Sequence, residues 1–189
     1  MSLPHLILGL LSIQPFSGYD LNKTFQETVQ HFWTTEQSQI YRALHRMGES
    51  GWVTVETVIQ SDSPNKKIYH LTEAGGDELR RWLRTPLLPD SVHEAWLGQI
   101  FFGGQISLDE VAAVLRANAA GLEKQLRALE ALLAGIESRI QGRVMPTAVQ
   151  LQLATLDYGI QRHRFELGWL QTLLEKVAQM QSQNEERDA

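Results

Sequence analysis

Apolar residues recur with strict four-and-three spacing through Leu108, Ala112, Leu115, Ala119, Leu122, Leu126, Leu129, Leu133, Ile136 and Ile140. The pattern returns through Val149, Leu153, Leu156, Ile160, His163, Leu167, Leu170, Leu174 and Val177. A strand turns its side chains to alternate faces at every residue and cannot use a 3.5-residue period, so these segments are two long helices. Ser107-Leu-Asp-Glu110 opens the first with a capping box. The break from Gly142 to Pro146 is short, which predicts an antiparallel helical hairpin.

Beside the main seam of the last helix lie Tyr158, Phe165, Trp169 and Leu173, more apolar surface than one partner helix covers. A second copy of the chain is the economical cover. The predicted dimerisation residues are Leu153, Leu156, Ile160, Phe165, Leu167, Trp169, Leu170 and Leu174.

Ahead of the hairpin, Thr85-Pro-Leu-Leu-Pro-Asp90 cannot lie inside a helix and marks a boundary. The expected organisation is a domain over residues 1–85, a linker over 86–91, a helical dimerisation domain over 92–182 and a frayed tail over 183–189. In the first domain, Pro4 to Ile13 is apolar nearly all round, a helix that must be buried. Pro15 to Gly18 reads as a turn. A second helix places Leu21, Phe25, Val29 and Phe32 at helical spacing, and a third starts near a capping box at Thr34-Thr-Glu-Gln37 and ends near Gly51. Residues 52–58 and 67–72 then alternate as strands around the turn-forming Gln60-Ser-Asp-Ser-Pro-Asn65, and Thr72 caps a fourth helix. Three helices, a hairpin wing and a fourth helix are the order of a winged helix-turn-helix, so the fold class is mainly α with an all-α second domain.

On the third helix Ile40, Leu44 and Met47 share one side. Ser38, Gln39, Arg42, His45 and Arg46 fall opposite, with Tyr41 at the margin. A recognition helix needs that division, since apolar residues set its depth while Arg, Gln and Ser reach phosphates and base edges. Lys66 and Lys67 stand where a wing would touch the DNA backbone.

The segments 1–11 (MSLPHLILGLL), 17–21 (SGYDL), 39–44 (QIYRAL), 49–53 (ESGWV) and 67–75 (KIYHLTEAG) resemble the successive signatures of PadR-family transcription regulators. The opening and the long C-terminal half resemble the branch that includes virulence-gene activators. The resemblance implies binding to double-stranded DNA, in a family that includes repressors and activators; with the apolar stripe above, the expected function is a homodimer on a pseudo-palindromic operator that represses rather than activates. The resemblance matches Tyr41 and Arg42 to recognition-helix positions, Lys66 and Lys67 to wing cations, and Tyr19 and Tyr69 to tyrosines near the DNA-facing surface. Some members of such a family sense aromatic ligands, which leaves a small aromatic effector as a candidate partner. The alternative is a winged-helix adaptor or ligand-sensing dimer that does not act through DNA.

Composition removes other classes. There is no cysteine, hence no disulfide framework, thiolate metal site or cysteine nucleophile. The early apolar run lacks preceding basic residues and is too short to span a bilayer, so the reading is cytoplasmic with no membrane partner. The net charge of -5 is unevenly placed: residues 1–85 hold 8 Lys/Arg against 9 Asp/Glu, residues 86–189 hold 9 against 13. The first domain is close to neutral, and phosphate contacts depend on local charge. No phosphate loop, nucleophile elbow or acid/base pair is present, so no catalytic residue and no cofactor are assigned. His163 and Glu166 stand one turn apart without a second ligand cluster, and no metal is assigned. Trp96, Phe101 and Trp169 are candidate walls for a flat ligand between the domains, with core packing as the competing role.

Overall fold

A computed structural model of the chain describes residues 2–59, 66–87, 94–140 and 144–188, with side chains described as far as residue 184. The chain divides into two compact units, Met1–Asp90 and Ser91–Ala189.

The first unit runs α1 (Leu3–Leu11), β1 (Phe16–Ser17), α2 (Gly18–Thr28), α3 (Gln37–Glu49), β2 (Val53–Val58), β3 (Lys66–Leu71) and α4 (Glu73–Leu83). Pro4 sits in the first turn of α1, where its missing N–H costs nothing. Ile7 and Leu8 are fully enclosed and Leu10 and Leu11 nearly so. They form one core with Leu21 and Phe25 of α2, Ile40, Ala43, Leu44 and Met47 of α3, Val53 of β2 and Leu79 of α4.

Three local expectations are corrected. Phe16 and Ser17 are not merely a turn: they pair with Tyr69 and Ile68, making a three-stranded antiparallel sheet in the order β1-β3-β2. The added strand covers an edge of β3 that a hairpin alone leaves open. α2 closes at Thr28, and Phe32, 41% exposed, lies beyond it. The N-cap of α3 is Glu36 with no side-chain cap bond, and the Thr35 hydroxyl donates instead to Gln39 Oε1 at 2.6 Å. The end of α3 is better specified, since Gly51 adopts a φ of 71° that suits a residue without a Cβ just past a helix. Thr72 caps α4 as expected, accepting from the Gly75 N–H at 3.0 Å while donating to the Gly51 carbonyl at 2.7 Å.

The second unit contains α5 (Ala95–Phe101), a 3-10 turn over Gly103–Gln105, α6 (Leu108–Ile140) and α7 (Thr147–Asp188). The capping box at the start of α6 is formed: the Ser107 N–H and hydroxyl donate to Glu110 Oε2 at 2.9 and 2.8 Å, and the Glu110 N–H returns to Ser107 Oγ at 3.3 Å. Gln181 reaches Asp109 near one end of the pair and Arg164 reaches Glu130 further along, so α6 and α7 run antiparallel. Ala112 and Leu115 pack with Leu170 and Val177, flanked by Leu122 and Leu174.

Six of the eight expected dimerisation residues take part in packing within the chain. Leu156, Ile160, Leu167 and Leu170 are buried within the chain itself, and Leu153 and Leu174 are half-buried. Two helices joined by a short connection meet at high effective concentration, so the seam closes on itself before a second copy can compete. Leu173 is drawn into the same core. Phe165 at 74%, Tyr158 at 64% and Trp169 at 39% exposure remain outside it. α7 runs helical to Asp188, through the segment expected to be the tail. The Gln60 to Asn65 loop, residues 88–91 of the linker and residues 142–143 of the inter-helix break lie outside the described residues.

Candidate nucleic-acid interface

α3 is divided as its sequence requires. Ile40, Ala43, Leu44 and Met47 are at most 1% exposed, while Ser38, Gln39, Arg42, His45 and Arg46 are exposed and Tyr41 is 41% exposed. A step of about 100° per residue puts Ser38, Arg42 and His45 at the centre of the outer face, Tyr41 on one flank and Gln39 and Arg46 on the other. The two flanks meet different neighbours.

The Tyr41 flank lies over the start of α2. A Cβ on Gly18 would stand 2.5 Å from Tyr41 Cε1, so the ring seats only because that residue is glycine. Ser17 caps α2, its Oγ accepting from the Asp20 N–H at 3.1 Å and its hydroxyl donating to Asp20 Oδ2 at 2.7 Å. Lys66 Nζ lies 2.9 Å from that same oxygen. Lys66, then Ser17, hold the Asp20 carboxyl below its ordinary pKa. Tyr19 is 67% exposed beside this pair. Tyr69 stands in the middle of the sheet opposite Phe16 and Val55, and burial with Tyr41 nearby raises its pKa.

The Gln39 and Arg46 flank borders an open groove of about 1010 Å³, lined also by Arg42, His45, Met47, Trp33 and Trp52. His5, Glu78 and Arg81 line it too. Glu78 accepts from Arg81 Nε at 2.8 Å and Nη2 at 2.5 Å, and His5 Nε2 lies 2.8 Å from it. Arg81 first and His5 second pull the Glu78 carboxyl down to a pKa of about 2. The His5 ring stacks on Trp82 with centroids 5.0 Å apart. His45 lies 3.5 Å from Glu49. Among the described residues Arg42 and Arg46 have no carboxylate partner within 4.0 Å.

The structure therefore gathers Tyr19, Tyr41, Lys66 and Tyr69 at one side of α3 and Gln39, Arg42, His45 and Arg46 along its outer face and groove. Lys66 is ion-paired with Asp20, and Tyr69 packs against the core of the first unit. Lys67 is exposed on β3. Sequence reasoning missed Gly18, Asp20, Trp33, Trp52, His5, Glu78 and Arg81. Asp20 had a local signal in the Ser17-x-x-Asp20 capping pattern, and Glu78 and Arg81 had one in their three-residue spacing on α4; Trp33, Trp52 and His5 come in from separate elements.

Elsewhere, Trp96 packs edge-on against Trp169 with centroids 5.7 Å apart, and Phe101 is 82% exposed. His163 Nδ1 lies 3.3 Å from Glu166, which is also held by Arg162 at 2.7 Å. That is an ion-pair network, and among the described residues no group of three or more ligands could hold a metal ion. Nor is any described helix long and apolar enough to cross a membrane.

Residues 7–81 match the family described as transcriptional regulator PadR-like, and residues 92–178 match the virulence activator alpha C-terminal domain. The negative transcriptional regulator PadR of Bacillus subtilis (strain 168) is 29% identical over 184 residues, covering 93% of this chain and 97% of the relative. Its crystal structure in complex with operator DNA superposes with a TM-score of 0.76 at 28% identity, covering 94% of this chain and 99% of that one. The same protein with p-coumaric acid gives 0.74 at 26%, over 94% and 99% of the two chains. The virulence activator AphA of Vibrio cholerae gives a TM-score of 0.72 at 25% identity, covering 95% and 99%. With both halves matched in order and the winged helix and helical hairpin in place, the chain belongs to the PadR-like family of transcriptional regulators, in the branch carrying the virulence-activator C-terminal domain.

Proposed function

We propose that this protein is a cytoplasmic, homodimeric repressor that presents two copies of α3 to a pseudo-palindromic operator in double-stranded DNA. One observation carries the reading. Among the described residues Arg42 and Arg46 have no carboxylate partner, and they stand on the outer face of a helix whose opposite face is sealed into the core, so depth and orientation are set before DNA arrives. The B. subtilis relative solved with operator DNA supports it. Two copies follow from the exposed Tyr158, Phe165 and Trp169 of α7, which the chain's own hairpin leaves uncovered. The role is recognition, with no reaction assigned.

Pulling genomic fragments down with the purified protein and sequencing them should recover a small set of sites sharing paired half-sites. Fragments recovered at random would remove the repressor reading and favour the adaptor.

A ligand-responsive repressor is favoured by the groove beside α3. Trp33 and Trp52 offer flat apolar walls and Arg42 and Arg46 offer cations to an acid group, whereas Trp96 and Trp169 already pack on one another. The B. subtilis relative was solved with p-coumaric acid, a compound of that chemistry. Titrating a planar aromatic carboxylate should quench tryptophan emission in the parent and not in Arg42→Ala with Arg46→Ala.

A further inference from the structure

On the side of α3 occupied by Tyr19 and Tyr41, the most basic group is already neutralised. Lys66 gives its charge to Asp20 at 2.9 Å, and both side chains are accessible, 42% and 46% exposed. We propose that Asp20 restrains non-specific DNA binding by occupying, against Lys66 and the Ser17 hydroxyl, the place a DNA phosphate would otherwise take. The inference rests on the DNA-binding reading and deepens it.

The chemistry of the two acceptors is shared. A carboxylate and a phosphate oxygen both accept from an ammonium and from a hydroxyl, and Asp20 Oδ2 receives both. Asp20 stands one residue from exposed Tyr19 and two from Gly18, whose missing side chain seats Tyr41, so the pair lies on the surface continuous with α3. Of the neighbouring cations, Lys23 lies 3.9 Å from Glu27 and Lys67 is exposed on β3, so Lys66 is the cation that Asp20 withholds. An intact Asp20–Lys66 pair presents no net charge to a passing phosphate. Non-specific affinity comes almost wholly from phosphate neutralisation, whereas an operator also offers base contacts. Withholding one cation therefore lowers the sequence-independent part of the affinity, for random sequence and for the operator alike.

The test is a set of binding titrations of the full chain, Asp20→Asn, and Asp20→Asn with Lys66→Ala, on the recovered operator and on a scrambled duplex of equal length at several salt concentrations. Asp20→Asn should bind both duplexes more tightly and by a similar factor. Its log–log salt slope should steepen by about 0.9, so that its advantage shrinks about 3.5-fold between roughly 50 and 200 mM salt. Removing Lys66 from that background should erase the gain. A parental salt slope in Asp20→Asn, or a gain that survives the loss of Lys66, overturns the proposal while leaving DNA binding intact. A parent that binds neither duplex removes the DNA-binding reading and this inference together. Because Asp20 also belongs to the cap of α2, Asp20→Ser, which keeps an acceptor without the charge, is titrated beside it, and both must melt as the parent does.

Discussion

Gly18 and Arg42 show how much a single position decides. Gly18→Ala brings a methyl group to 2.5 Å from Tyr41 Cε1, and the half-exposed tyrosine is the part able to move. Stability should stay within about 1 kcal/mol of the parent, since alanine is the better helix former by about that amount. Operator affinity should fall several-fold as Tyr41 leaves its seat; thermal melts and binding titrations read the two effects separately. Arg42→Ala should cost about 1–3 kcal/mol on the operator and flatten preference at one position in each half-site, as loss of a base contact does. Lys67→Ala should weaken all sequences alike and reduce the salt slope by about 0.9. Arg42 and Arg46 were legible from helical spacing, because an exposed face follows from where the apolar residues fall. That Lys66 is neutralised was not, since Asp20 reaches it across 46 positions of chain.

Between elements, the clasp of α1 to α4 is the feature with a measurable pH signature. His5 of α1 and Arg81 of α4 both hold Glu78, whose pKa falls from an ordinary 4.5 to about 2. A carboxyl with a depressed pKa in the folded state stabilises the protein above its ordinary pKa. The contribution is lost as the pH drops from 4.5 toward 2, where the folded carboxyl takes up its proton. The thermal midpoint of the parent should fall across that window, and Glu78→Gln should show a shallower fall, read by melts at stepped pH. An unchanged slope in the variant would remove the clasp as a source of acid sensitivity. Helices were legible as elements because periodicity is local. The strand β1 was not, for two residues carry no period and become a strand only by pairing with β3.

At the scale of the assembled molecule, the exposed apolar residues of α7 point to association. Leu151, Tyr158 and Phe165 recur every seven residues at 66%, 64% and 74% exposure, which places them on one stripe away from the seam that α6 covers. The full chain at tens of micromolar should scatter light as twice its 21.4 kDa mass. Tyr158→Glu with Phe165→Glu should shift it toward a single chain with helical content preserved, because neither residue supports the intrachain core. Leu170→Glu should instead unfold the hairpin, its side chain being fully enclosed. A double variant that remains dimeric would move the interface off this stripe.

The periods, caps and prolines of the chain dictated two long helices, a winged-helix order ahead of them and a division between the two, because each of those follows from interactions within a few turns. Which surfaces were left free was settled by packing. The seam of α7 closes on α6 of the same chain, so Leu156, Ile160 and Leu170 are buried within the chain while Phe165 is left exposed. In the same way Lys66 meets Asp20, and His5 meets the Glu78 carboxylate that Arg81 already holds from one turn along α4, only after α1, α2, β3 and α4 enclose a common core. Local spacing sets what a segment becomes; the charge and surface it presents depend on neighbours brought from distant positions.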